Sequence, residues 1–480
     1  MTTGLQTADT LSHVRERWAS DIVPLLVEYA RIPSLSPAYD SEWEANGRLE
    51  EAADLLATWA RAQPLDGATV EVVRIAGLTP TVVVEVPATD TEATGTVLIY
   101  GHYDKQPPFE GWTEGRGPWT PVLNGDWLFA RGVADDGYAL PSALLALASI
   151  RAGGGRHARC VIIAEGSEES GSPHLPAVLA HLDRQIGAPE VVVALDSGCA
   201  TYERLWVTTS LRGALAGTLT VRVLEHGVHS GSAGAVVPSS FRILRLLLDR
   251  LEDPTTGELV PAELRVDPPE PAILAAEELS RARHQAGLDG TPFPVVPGLR
   301  LQGETNAEQA LRTAWKGSVA VVGADGLPPT ADAGAVLRPW TSVKLVIRLP
   351  PTVDADLASG VVARTLTEDP PYGATVEWEE GQAAGGWAAP PRAPWLAGAL
   401  DHASEACFGP PSGELGEGGT IPFMGWLAAR FPKAEILALG VLGPDSNAHG
   451  PNEGLHLPTA ERVTSSLAML IDAHASAPRG

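Results

Sequence analysis

The sequence predicts an α/β protein: a doubly wound, mostly parallel sheet interrupted by an inserted α+β domain. Three observations carry that prediction. Short apolar runs alternate with helical patterns up to about residue 210, as βαβ units do. From about residue 213 the pattern changes to alternating strands and a strongly amphipathic helix, and from about 388 the first style returns. At 480 residues the chain is too long for one typical core, so two domains are expected.

The runs "TVLIY" (96–100), "CVIIA" (160–164) and "VVVAL" (191–195) read as parallel strands buried on both faces. Between the first two lies "YALPSALLALASIRA" (138–152), a helix in which Pro141 is tolerable because it falls near the start. The middle holds "ALAGTLTVRV" (214–223), "SSFRILRLLLDRLED" (239–253) and "TSVKLVIRL" (341–349), a strand–helix–strand order of antiparallel character. Between them, residues 253–300 are rich in Pro and Gly and read as loops. A fourth buried run, "EILALGVL" (435–442), comes late in the chain. Residues 1–212 and 388–480 are thus expected to form one domain, and 213–387 the inserted one.

Composition excludes several functions. The net charge of −25 argues against nucleic acid or anionic membranes as partners. No apolar run approaches the roughly 20 residues of a membrane span. The N-terminal residues lack a basic-then-apolar signal pattern, so a cytoplasmic location is expected. Cys160, Cys199 and Cys407 form no CxxC pair and read as reduced, packed thiols.

The residues just beyond each buried run are chemically distinctive. "TVLIY" leads into "GHYDKQ" with His102 and Asp104, and "CVIIA" into "EGSEES" with Glu168 and Glu169. "VVVAL" leads to Asp196, and "EILALGVL" to "GPDSNAHGPNE" with His449. Asp135 and Asp136 precede the helix at 138. In open α/β sheets ligands collect beyond the carboxyl ends of strands, so these groups are expected to converge. Imidazole with carboxylate is a mixture that zinc, manganese and related divalent ions accept. Crowded carboxylates also call for a cation, since two like charges about 4 Å apart cost roughly 4 kcal/mol at an effective dielectric of about 20.

Each residue has a plainer reading. One of Asp135 and Asp136 would serve as a helix N-cap. A single His after a strand is usually a surface or core histidine, Glu168 and Glu169 would form a solvated loop, and Asp196 would sit in a turn. Four strand ends that each deliver an acid or imidazole outweigh these readings taken singly. No G-x-S-x-G elbow and no HExxH motif occurs, which removes the common serine-hydrolase and single-zinc alternatives.

The ordered set "YGHYDKQPPFEGW", "GDWLFARGVADDG", "EGSEESGS", "ALDSG", "GVHSG", "GEGGTIP" and "NAHGPNE" resembles the dinuclear zinc metallopeptidase family. That family includes carnosinases, nonspecific dipeptidases, acetylornithine deacetylases and glutamate carboxypeptidases; the "GHYD…QPP…GW" and "EGGTIP" forms are most similar to its dipeptidase branch. The likeness implies an amide hydrolase for dipeptides or N-acyl amino acids, with two divalent ions (zinc, or else manganese or cobalt). It further implies a homodimer in which the inserted domain is a lid and dimerisation module.

Residue by residue, the resemblance implies that His102 and Asp196 hold one metal, Glu169 and His449 the other, and Asp135 both. Asp104 would orient His102, and Glu168 would be the general base. Three ligand carboxylates against two divalent ions leave +1, which one hydroxide neutralises. Glu165 receives no role and reads as structural. His229 would stabilise the oxyanion across the dimer, with Arg348 holding the substrate's terminal carboxylate ahead of Arg338. Gly418, Gly419 and Thr420, at an expected helix start, would add carboxylate contacts. Gly137 and Tyr138 depart from the Lys-Gly usual after the paired aspartates, and Lys105 and Thr420 replace a small apolar residue and serine.

Overall fold

The structure is a computed structural model that describes residues 5–291 and 293–477. Its centre is a nine-stranded sheet in which Arg159–Glu165, Thr96–His102, Val191–Ala194 and Glu435–Ala438 lie side by side and parallel. The period-2 alternation of strands divides their side chains between two cores. Val97, Ile99 and Ile162 pack into one with the helices Arg48–Arg61, Ala139–Ala152 and Leu457–Ser476. Leu98, Tyr100, Val161 and Ile163 pack into the other with Leu175–His181 and Pro422–Arg430. Burial of each such aliphatic side chain contributes about 1.5–3 kcal/mol, which is why the four central strands read as continuous apolar runs. The outer strands Thr69–Val73 and Thr81–Val86 run antiparallel at one edge. At the other, Trp206–Leu211 pairs with Trp387–Ala388 and with Gly413–Glu417. The late run Glu435–Ala438 pairs with Val191–Ala194, so early and late parts of the chain share this sheet. The fold is the mostly parallel α/β arrangement that the apolar runs predict.

A second, four-stranded antiparallel sheet has the order Ser318–Asp325, Trp340–Leu349, Gly213–Arg222, Thr375–Ala384. Leu215, Leu219 and Val221 alternate inward with Val343, Leu345 and Ile347 against the helices Ser240–Leu251 and Ala355–Thr367. Both helices start on side-chain caps: Ser239 accepts the Arg242 N–H (3.1 Å) and Asp354 that of Leu357 (2.8 Å).

The Pro- and Gly-rich stretch differs from its reading as loops. It contains a 16-residue helix, Glu270–Gln285, with Pro271 in its first turn. Proline is accommodated there because the first N–H groups of a helix have no intrahelical partner. This helix packs on Asn306–Trp315 and on the strand Gly413–Glu417.

Candidate metal centre

Three adjacent parallel strands end at the same edge, and the site is assembled there. His102 is the last residue of its strand, Asp196 comes just after Val191–Ala194, and Glu168 and Glu169 form a single 3-10 turn after Arg159–Glu165. Asp135 arrives on the loop before the helix Ala139–Ala152, and His449 on the loop after Glu435–Ala438 with φ of +60°.

These residues meet. The His102 Nε2 lies 3.1 Å from Asp135 Oδ1 and 3.9 Å from Asp196 Oδ2. The His449 Nε2 lies 3.0 Å from the other Asp135 oxygen, Oδ2, and 3.3 Å from Glu169 Oε2. The Asp135 carboxylate therefore stands between two imidazoles, one oxygen toward each. Potential donor atoms of His102, Asp135 and Glu169 fall within 4.8 Å of one another, as do those of His102, Glu168 and Asp196. His102 is buried, whereas the His449 side chain is 56% exposed and marks the open side of the cluster.

Further side chains fix these groups. The Asp104 carboxylate accepts the N–H of Glu168 (3.1 Å) and of Glu169 (3.0 Å); His102 Nδ1 lies 3.1 Å from the Asp104 main-chain carbonyl and 3.4 Å from one of its carboxylate oxygens. Asp104 thereby ties the acidic turn to the imidazole, the kind of supporting contact that orients metal ligands. Gln106 donates to Glu169 Oε2 at 2.5 Å. Asp136 accepts the His102 N–H at 3.2 Å, and the helix after it has no side-chain cap, so the N-cap reading fails for both aspartates. Tyr138 is buried and donates from its hydroxyl to the carbonyl of Leu195, next to Asp196. Gly137 abuts Tyr29 and the Gly132 carbonyl, where a Cβ would come within 2.6 Å of that oxygen.

The electrostatics fit a cationic occupant. Burial and the neighbouring carboxylates push Asp196 up to about 7 and Glu168 well above the carboxylate range. Against the pull of burial, Asp135 and Glu169 raise His449 to about 11. Against the same pull, His102 and His449 hold Asp135 well below the usual range. Protons are thus drawn to where divalent cations would place charge, and the nitrogen and oxygen donors are those that zinc or manganese accepts.

Glu165 is explained apart from the cluster. Its buried carboxylate accepts hydroxyls from Tyr100, Ser167 (3.0 Å) and Ser172 (2.7 Å), and burial lifts it to about 7. Lys105 is likewise structural: its buried ammonium donates to the carbonyls of Tyr29 (2.9 Å) and Ile32 (2.7 Å).

A second polar group forms where the two sheets adjoin. Arg348 donates to Thr420 Oγ1 (2.8 Å), whose hydroxyl donates to the Arg212 carbonyl (2.7 Å). The Arg212 guanidinium donates to the carbonyls of Gly418 (3.2 Å) and Lys316 (3.1 Å). Burial and the Arg348 charge lower Arg212 to about 10, and among the described residues neither arginine has a carboxylate partner. Gly419 lies in the same turn before the helix Pro422–Arg430. His229 stands elsewhere: it is exposed, on a two-residue strand paired with Val336–Leu337, and accepts the Gly231 N–H at 3.2 Å. Among the described residues no hydrogen bond or ion pair joins it to the cluster.

Sequence reading missed several supports. Glu453 Oε1 accepts the N–H groups of Gly132 (2.9 Å), Ala134 (3.2 Å) and Asp135 (3.3 Å). Its Oε2 accepts from Arg131 (2.8 Å), which also donates to the Gly450 carbonyl beside His449 (2.8 Å). Glu417 accepts from Ser197 (2.7 Å) and the Gly198 N–H (3.1 Å), just after Asp196. Glu453 and Arg131 do lie inside the motifs "NAHGPNE" and "ARGVADD", but only folding shows that they pair.

The chain is similar to known peptidases. A cysteinylglycine-S-conjugate dipeptidase of Corynebacterium striatum is 27% identical over 383 residues, 77% of this chain and 78% of that one. The dipeptidase Dug1p of Saccharomyces cerevisiae superposes with a TM-score of 0.76 at 18% identity, covering 99% of each chain. Human carnosine dipeptidase 1 superposes with a TM-score of 0.75 at 20% identity, covering 98% of this chain and 99% of the other. The sequence profile of peptidase family M20/M25/M40 matches residues 98–473, and the chain belongs to that family.

Proposed function

We propose that this chain is a metal-dependent hydrolase that cleaves the amide bond of dipeptides, with the strand-end cluster as its active site. The observation that carries the proposal is Asp135, whose two oxygens face two different imidazoles while Asp196 and Glu169 flank the outer sides. His102 and Asp196 would hold one divalent ion, Glu169 and His449 the other, and Asp135 both; zinc suits this donor set, with manganese or cobalt as substitutes. When bound, such ions supply Lewis-acid polarisation and a nucleophile at neutral pH.

The chain's own residues do the rest. The Glu168 carboxylate takes the proton of the attacking water and returns it to the leaving amine, a step that contributes typically 10²–10⁴-fold. Asp104 keeps Glu168 in place through the N–H groups of its turn and fixes the His102 ring. Arg348 and Thr420, with the N–H groups of Gly418 and Gly419 and with Arg212, hold the substrate's terminal carboxylate, a charge-assisted contact suited to guanidinium. An N-acyl amino acid presents the same carboxylate and the same amide, so deacylation is the neighbouring reaction at this site.

His229 reaches the site in this proposal from a second copy, as an oxyanion donor in a homodimer. Mixing His229→Ala and Glu168→Ala proteins is then expected to recover activity through heterodimers; subunit exchange without recovery would count against it. A cytoplasmic location is proposed on the charge and cysteine pattern; no helix among the described residues is long and apolar enough to cross a membrane.

The test of the proposal is Glu168→Gln. Dipeptide turnover should fall at least about 100-fold with metal content, read by elemental analysis, unchanged. Turnover at the parent rate would refute the assignment.

A further inference from the structure

Residues close in sequence to His449 and Asp196 border a cleft of about 710 Å³, within the range typical of small-molecule sites. One wall is the loop that carries His449, represented by Gly443, Asp445, Asn447 and Asn452, and the cleft also reaches Cys199, three residues beyond Asp196. Arg348, Thr420 and the four-stranded sheet do not line it. The cleft is therefore separate from the polar group at the junction of the sheets, and adjoins the segments that deliver two of the proposed ligands.

Two arginines line this space. Arg116 sits over the Phe129 ring, 3.4 Å from its centroid, and is partly buried. Arg283 comes from the helix Glu270–Gln285, is partly buried, and makes a long contact (3.4 Å) to the Leu288 carbonyl. Among the described residues neither Arg116 nor Arg283 has an acidic oxygen within 4.0 Å, and the Asp445 that also lines the cleft pairs with neither. Phe129 and Trp127 supply an apolar side, so the space suits a short hydrocarbon stem ending in an anion.

We propose that this cleft receives the acyl-side residue of the substrate and selects one that carries a carboxylate, so that the preferred substrates are dipeptides with an acidic first residue or amino acids bearing a dicarboxylic acyl group. The inference rests on the hydrolase reading above and names its substrate class. The terminal carboxylate goes to Arg348 and Thr420, the second carboxylate goes to Arg116 and Arg283, and the scissile amide lies between. Helix Glu270–Gln285, from the Pro- and Gly-rich stretch, is then a specificity element.

The test compares Glu-Ala with its neutral isostere Gln-Ala by calorimetry on metal-loaded Glu168→Gln protein, which binds without turnover under the proposed function. The expected result is at least about tenfold tighter binding of Glu-Ala, or about 1.4 kcal/mol, with that preference reduced to near parity by Arg283→Gln or Arg116→Gln and partly restored in Arg283→Lys. Circular dichroism identifies any variant that fails to fold, and the other arginine then decides. Equal binding of the two peptides, a preference that survives both substitutions, or no binding of either peptide would overturn the proposal. Binding of both with no hydrolysis of either by the unmodified protein would instead sink the hydrolase reading and leave the cleft assignment standing.

Discussion

The Glu453–Arg131 pair offers the sharpest test of how the site is held. Both side chains are almost wholly buried, 0% and 1% exposed. Glu453 joins the loop that bears Asp135 to the loop that bears His449, through three N–H groups on one oxygen and Arg131 on the other. Glu453→Gln conserves size and leaves a carbonyl for the three N–H groups, but removes the counter-charge of a buried guanidinium. Removing one partner of a buried pair costs about 3–5 kcal/mol. The cost should be local, because the bonds affected all belong to residues 131–135 and 450. Amide exchange of Gly132, Ala134 and Asp135 should therefore accelerate about 100-fold or more, at about 1.4 kcal/mol per decade. Affinity for the metal ions, measured by chelator competition, should fall alongside. Arg131→Met in the same protein removes the orphaned charge, so the double variant should lose less than the two single losses added. Unchanged exchange at these amides, or strict additivity, would refute the reasoning.

Other side chains carry predictions of their own. Arg348→Ala should raise KM for dipeptides at least about tenfold with a smaller effect on kcat, because a charge-assisted bond contributes about 1.5–3 kcal/mol; a kcat-only loss would contradict the carboxylate role. Glu165 rises from 4.5 to about 7 on burial, so the folded state holds its proton more tightly than the unfolded one. Its stability contribution is complete below about 4.5 and is lost as pH climbs to about 7, a decline of about 3 kcal/mol. Urea midpoints of Glu165→Gln, measured with chelator present, should lack that decline, and parallel pH profiles would contradict it. Lys105→Met removes one hydrogen bond from each carbonyl of Tyr29 and Ile32, which keep the N–H groups of Ile32 and Ser34, and should cost about 1–3 kcal/mol in urea unfolding; a neutral outcome would show that the two lost bonds contribute nothing net.

Much of this organisation is readable in the chain because its signals are local. A parallel strand buried on both faces must be a short apolar run, and the residues next along the chain stand at the sheet's carboxyl edge. His102, Glu168, Glu169 and Asp196 are found that way, at the ends of their strands or a few residues beyond. Supports that act across the chain leave no such mark. Arg131 meets Glu453 across 322 positions, and Thr420 meets Arg212 across 208. Neither side chain announces its partner, since an isolated Arg or Glu in a loop is ordinarily a solvated charge. The helix Glu270–Gln285 is obscured differently: prolines on both sides suggest loop, yet Pro271 falls where a helix tolerates it. Tyr138, in place of the more usual glycine, is buried and bonds through its hydroxyl to the carbonyl of Leu195.

The central claim is that two divalent ions share Asp135. Anomalous difference maps from crystals loaded with zinc, recorded on both sides of the zinc edge, test it directly. The account predicts two peaks per chain, one between His102 and Asp196 and one between Glu169 and His449, with Asp135 touching both. A single peak, or peaks away from Asp135, would contradict it.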